Sequence, residues 1–276
     1  MSYENPQIPE GINVGRDNAL IEFLRLAAGL AVVIVVLAAI LHLGGSALAR
    51  LIPFETERGW VGERNAPGIA PIASGRGDIE SYLQELGDRL VVEMDLPPGM
   101  DVRARYLDLD VPNAFASLGG QVAVTRGLYE RLPSENALAM VLAHEIAHVR
   151  ARDPIAGIGG SASMLIVLSL VTGDAMRLSG AFANLVLRGY SRRAETNADE
   201  RAIEALQSLY GHAGGGDALF ETFARFRDER GETELPSLLS THPLDADRIA
   251  RLRQAAAGWD ARRQPLLPLR VPAHPD

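Results

Sequence analysis

Residues 134–152 read SENALAMVLAHEIAHVRAR, and this stretch decides the fold. Ser134 is an N-cap residue type standing before a run of good helix formers, so a helix is expected from Glu135 to about Arg152. Within it His144 and His148 are four residues apart, which sets both imidazoles on one face, about 6 Å apart along the axis. One metal ion can touch both. Glu145 is rotated about 100° from His144, so it stands beside such an ion and can take a proton from bound water instead of acting as a ligand. The spacing H-E-x-x-H also occurs in helices that hold no metal. A catalytic site needs a third protein ligand and an open fourth position.

The chain has no cysteine, so thiolate sites and Cys nucleophiles are excluded and any transition-metal site must use His and carboxylates. Ser191 to Asp199, SRRAETNAD, opens a second helical pattern in which Glu195 and Asp199 lie one turn apart on the same face. Glu195 is the best third ligand in this chain. Asp199 is the natural partner for the second N–H of one of the two imidazoles. A solvated helix end with scattered charges is the plainer reading of the same residues.

Upstream, Ile79, Tyr82, Leu83, Leu86 and Leu90 recur at helical spacing. Val102, Ala104 and Tyr106, followed by Leu107, Leu109 and Val111, read as strand with a phase change, which a bulge or bend near Tyr106 would explain. Residues 113–117 and 121–125 flank Gly119 and Gly120 in a hairpin-like arrangement. Helices around a small sheet make the fold class α+β, mainly helical.

From Leu26 to Ala49 there are 24 residues without a formal charge other than the titratable His42, and a bilayer core needs roughly 20 in a helix. An uncleaved single-pass anchor is expected there. Its rivals are a buried core helix and a signal peptide cut near Ala47 to Ala49. Arg16 and Arg25 before the span and Arg50, Arg58 and Arg64 after it leave the orientation open. The organisation is then a tail (1–25), an anchor (26–49), a Pro- and Gly-bearing linker (50–77), one domain (78–260) and a Pro-rich irregular tail (261–276). Between the two ligand helices, 155–173 is uncharged and 178–187 is apolar, although Gly157, Gly159 and Gly160 weaken the helix signal. Burial or membrane-surface contact is favoured there over a full span. A net charge of −8 disfavours nucleic acid as a partner.

His144 to His148, followed by Arg192, Glu195, Ala198 and Asp199, resembles the M48 metallopeptidase family, which includes the HtpX, Ste24 and Oma1 groups. Its pattern is H-E-x-x-H, then R-x-x-E-x-x-A-D. Asn113-Ala114-Phe115 ahead of the glycine pair, and Thr241-His242-Pro243 with Arg248 further on, agree with it. The similarity runs from about Asp78 to Leu252. It implies a gluzincin-type fold, one zinc ion per chain with Glu195 as third ligand, and proteins or peptides as substrates. His242, in a loop shaped by the following proline, is then a donor to the developing oxyanion, a fourth metal ligand that gates the site, or a surface or packing histidine. Arg248 pairs with an active-site carboxylate, binds substrate, or lies on a solvated face. Asn113, Ala114 and Phe115 offer a sheet edge on which a peptide can add as a strand.

The function so implied is a zinc endopeptidase anchored in a lipid bilayer, read as a bacterial inner membrane, acting on unfolded or membrane-associated proteins in quality control. The competing function is a zinc-binding, chaperone-like or adaptor protein with a gated, weakly active site.

Overall fold

The computed structural model describes residues 18–61, 77–172, 189–218, 242 and 246–270. The fold is α+β and mainly helical, and the described residues contain a three-stranded sheet. In chain order the elements are α1 (Ala19–Arg50), α2 (Phe54–Val61), α3 (Gly77–Glu93), β1 (Arg103–Leu107), β2 (Ala114–Ala116), β3 (Gln121–Thr125), α4 (Arg126–Tyr129), α5 (Glu135–Arg150), α6 (Asp153–Thr172), α7 (Arg192–Tyr210) and α8 (Ala246–Ala256).

Helix α5 begins where Ser134 Oγ accepts the Ala137 N–H at 3.2 Å. All its residues from Glu135 to Val149 are buried, which explains why the sequence is apolar nearly all round. Packed on it are the Ile79, Tyr82, Leu83, Leu86 and Leu90 face of α3, one face of the sheet, and the Ala198, Ala202, Ala205 and Leu206 face of α7.

The sheet order is β1-β3-β2, with β1 parallel and β2 antiparallel to the central β3, so β2 is an edge. Strand β1 ends at Leu107, where the Leu109 N–H donates to the Leu107 carbonyl at 2.8 Å in a three-residue turn. That turn is the origin of the phase change near Tyr106. Between β2 and β3 the backbone of Gly120 takes φ +75°, and a Cβ there would lie 2.1 Å from the Asp101 carbonyl oxygen. Only glycine fits both the conformation and the approach.

The opposite sheet face carries Ala123 and Leu107, which join Ala49, Val61, Leu118 and Ile155 in a second, smaller core. Part of the stretch read as a linker therefore belongs to the packed structure. Helix α2 buries Phe54, Glu57 and Val61. Glu57 Oε1 accepts the Gly119 N–H at 2.8 Å, and Glu57 Oε2 pairs with Arg152 at 2.8 Å. Residues 62–76 lie outside the described residues.

Helix α6 continues through Gly157, Gly159 and Gly160 despite their poor propensity. A Cβ on Gly159 would meet Ala49 Cβ at 2.5 Å, and one on Gly160 would meet His42 Cε1 and Ser46 Oγ at 2.6 Å. Gly159 and Gly160 let α6 approach α1 closely, and that packing offsets about 1 kcal/mol of helix propensity at each. The later part of the 155–187 segment, from 173 on, lies outside the described residues.

Helix α1 is the one helix among the described residues that is long and apolar enough to cross a membrane, and none of its 18-residue apolar window is buried. At the other end, residues 261–270 contain no helix or strand, yet they are pinned to the domain. Leu267 accepts the Glu135 N–H and donates to Asn136 Oδ1, both at 2.9 Å, and the Tyr129 hydroxyl donates to the Arg270 carbonyl at 2.6 Å.

Candidate metal centre

The four-residue period of α5 points His144 and His148 the same way, their Nε2 atoms 3.1 Å apart. Helix α7, capped by Ser191 Oγ on the Ala194 N–H at 3.2 Å, brings Glu195 opposite them. Glu195 Oε2 lies 3.4 Å from His144 Nε2, and Oε1 lies 3.5 Å from His148 Nε2. His242 completes the group, with Nδ1 at 3.2 Å from His144 Nε2 and 3.0 Å from Glu195 Oε1. All four side chains are buried.

These separations fit a metal. Bonds of about 2.0–2.1 Å to a tetrahedral zinc ion place the donors about 3.3 Å from one another; the five separations above run from 3.0 to 3.5 Å, and the four donors all lie within 4.8 Å of one another. The outward nitrogens fit as well. His144 Nδ1 faces Asp199 Oδ1 at 3.0 Å, and His148 Nδ1 faces Asp153 Oδ2 at 2.9 Å. Imidazoles that donate from Nδ1 turn bare Nε2 lone pairs toward each other, and a cation between them relieves that repulsion.

The electrostatics match. Burial alone pushes the His144 imidazole down, but the Asp199 and Glu195 carboxylates overcome it and hold the group up at about 9. His148 is likewise depressed by burial and raised on balance by Asp153 and Glu195. Burial would raise Glu195, yet hydrogen bonds with His144, His148 and His242 hold its carboxyl far below the usual range. Asp199 is also lowered, against burial, chiefly by Arg248. The pocket is built to hold positive charge.

Glu145 stands beside the cluster, its Oε1 3.5 Å from His242 Nε2 and its Oε2 accepting the Ala116 N–H at 2.8 Å. Arg248 is buried between two carboxylates, 2.6 Å from Glu195 and 2.7 and 2.8 Å from Asp199. Of the three readings open for it, the structure shows pairing with carboxylates.

Ala114 and Phe115 lie in β2, and Asn113 directly precedes it. Asn113 spends its backbone on Thr125, as acceptor at 3.0 Å and as donor at 2.8 Å, while Phe115 packs on the smaller core. The outward backbone groups belong to Ala114 and Ala116. Thr241 and Pro243 lie outside the described residues.

Sequence reasoning missed three neighbours. Asp153 follows His148 by five residues, just past the helix end, and a carboxylate so close behind a ligand was the available signal. Tyr190, whose ring stacks on His148 with centroids 4.0 Å apart, and the Ala116 amide carried none.

The profile of peptidase family M48 matches residues 79–256. The chain is 28% identical over 213 residues to the beta-barrel assembly-enhancing protease of Escherichia coli, covering 70% of this chain and 42% of that protein. It is 29% identical over 212 residues to the protease HtpX homolog of Salinibacter ruber, covering 63% and 74%. To the mitochondrial metalloendopeptidase OMA1 of Schizosaccharomyces pombe it is 28% identical over 148 residues, covering 52% and 43%. The chain thus spans 42% of the length of the first of these relatives.

Proposed function

Because the chain belongs to peptidase family M48, we propose that it is a zinc-dependent endopeptidase in which His144, His148 and Glu195 hold the metal and Glu145 is the general base. The observation that carries this reading is the buried four-donor cluster with Glu145 alongside it, hydrogen-bonded to the sheet edge. When bound, zinc supplies a Lewis acid that polarises the scissile carbonyl and lowers the pKa of a water towards ~7. Glu145 takes a proton from the attacking water and passes it to the leaving amine. Asp199 and Asp153 fix the tautomers of His144 and His148 through Nδ1, and Arg248 holds Glu195 and Asp199 in place.

A peptide added as a strand on β2 pairs with the outward groups of Ala114 and the outward carbonyl of Ala116, whose N–H is taken by Glu145, and this sets its backbone next to Glu145. His242 stands at the fourth corner of the cluster, so it acts as a gate that leaves before substrate enters. The same position favours a second reading, a zinc-binding chaperone-like or adaptor protein whose site stays closed.

Helix α1 serves as an uncleaved anchor in a bacterial inner membrane. Its length and exposed apolar surface support this, as does the packing of Ala49 into the smaller core, which a cleaved leader would not provide. Anchoring raises the local concentration of membrane-associated and unfolded proteins, and the named relatives are proteases, one of them described as enhancing beta-barrel assembly. Quality control of such proteins is the role this supports.

The test is metal content and turnover of the full chain in detergent micelles. One zinc per chain is expected, with casein cleavage that a chelator abolishes and added zinc restores. Cleavage indifferent to the chelator would overturn the reading.

A further inference from the structure

We propose that Arg50, the last residue of the apolar helix α1, is a positioning residue for the metal centre, acting through Asp153 on His148; this rests on the zinc-peptidase reading above. The two histidines of α5 are served by parallel arrangements. His144 Nδ1 meets Asp199 at 3.0 Å, and Asp199 is held by Arg248 at 2.7 and 2.8 Å, all within the catalytic fold. His148 Nδ1 meets Asp153 Oδ2 at 2.9 Å, and the other oxygen of Asp153 takes Arg50 Nη2 at 3.0 Å. The second arginine comes from the helix that enters the membrane.

The geometry gives Arg50 a task that nothing else performs among the described residues. Asp153 is the first residue of α6 and its side chain is 7% exposed, whereas that of Arg50 is 46% exposed. Both line an open cleft together with Ser191, Arg193 and Asn197. Arg50 therefore covers the solvent side of Asp153. Without it, water from the cleft competes for the carboxylate, and Asp153 is free to turn away from His148. The placement of Arg50 depends in turn on the close contact of α1 with α6, where Gly159 lies against Gly45 and Ala49. Seating of the anchor helix is thereby coupled to the orientation of a metal ligand.

The experiment measures apparent zinc affinity of the full chain in micelles by competition with a chromophoric chelator, for wild type, Arg50→Gln, Arg50→Lys, Asp153→Asn and the Arg50→Gln/Asp153→Asn double variant. Circular dichroism checks folding in each. Loss of a group that orients a metal-bound imidazole costs about 10–100-fold in affinity. That loss is expected for Arg50→Gln and for Asp153→Asn, with Arg50→Lys closer to wild type. The double variant should be no weaker than Asp153→Asn alone, because Arg50 acts through that residue. Wild-type affinity in Arg50→Gln, or losses that multiply in the double variant, would overturn the coupling while leaving the peptidase reading intact. A wild-type chain that binds no zinc would overturn the peptidase reading and the coupling together.

Discussion

Ala116 donates its backbone N–H to Glu145 Oε2 over 2.8 Å, so the edge strand and the H-E-x-x-H helix meet at the carboxylate proposed as the general base. The strand is held there by the turn that follows it. Gly120→Ala puts a Cβ at φ +75° and 2.1 Å from the Asp101 carbonyl oxygen. It should cost at least about 1–3 kcal/mol in denaturant unfolding, with cleavage reduced because β2 is displaced. A variant as stable as wild type would contradict this account of the turn.

Arg248 touches Glu195 and Asp199, and all three are buried. Arg248→Ala removes the guanidinium that two buried carboxylates share, leaving them the His144 imidazolium, and is expected to destabilise the metal-free protein by about 3 kcal/mol. Arg248→Lys should recover only part of this, since a single ammonium cannot reproduce the forked contact with Asp199. Urea titration of metal-free samples is the check, and a loss within experimental error would argue that the pairing carries no stability.

The pH dependence has a defined sign. His144 is raised from 6.5 to about 9, so in the metal-free protein its contribution is fully present below pH 6.5 and is lost as pH rises through about 9. Glu195 and Asp199 are lowered, so their contributions are present above the ordinary carboxylate range and are lost as pH falls into the acid region. Stability of the metal-free protein should therefore decline between pH 6.5 and 9. Zinc must displace the imidazole proton, so its apparent affinity should climb over the same window, with proton release visible by calorimetry in two buffers of different ionisation enthalpy. Zinc affinity that stays flat from pH 6.5 to 9 would be incompatible with this.

His242 sits 3.2 Å from His144 Nε2 and 3.0 Å from Glu195 Oε1, at the fourth corner. Three donors remain in His242→Ala, so zinc should stay bound and casein cleavage should rise several-fold. A fall in cleavage at unchanged zinc content would make His242 a transition-state donor instead of a gate. No cleavage by either form would favour the closed-site adaptor.

Much of the centre was legible because it rides on helical spacing. His144 and His148 lie four residues apart on one helix, Glu195 and Asp199 lie four apart on another, and a period fixes which side chains share a face. The terminal helix cap at Ser134 and the burial of the α3 stripe follow from equally local rules. What escaped depends on distant contacts. Arg50 meets Asp153 across 103 positions, the Ala116 amide has no side-chain signature, and the glycines of α6 read as weak helix until α1 lies against them. Helix α2 hid in a stretch marked by nearby prolines, since its burial of Glu57 is set by Gly119 and Arg152.

The central claim is that Glu145 moves the proton in a zinc-dependent hydrolysis, and Glu145→Gln tests it most directly. The amide keeps an oxygen for the Ala116 N–H but cannot serve as a base. Zinc content should stay at one per chain while casein cleavage drops by at least about 10²-fold. Cleavage at the wild-type rate by zinc-loaded Glu145→Gln would contradict the account.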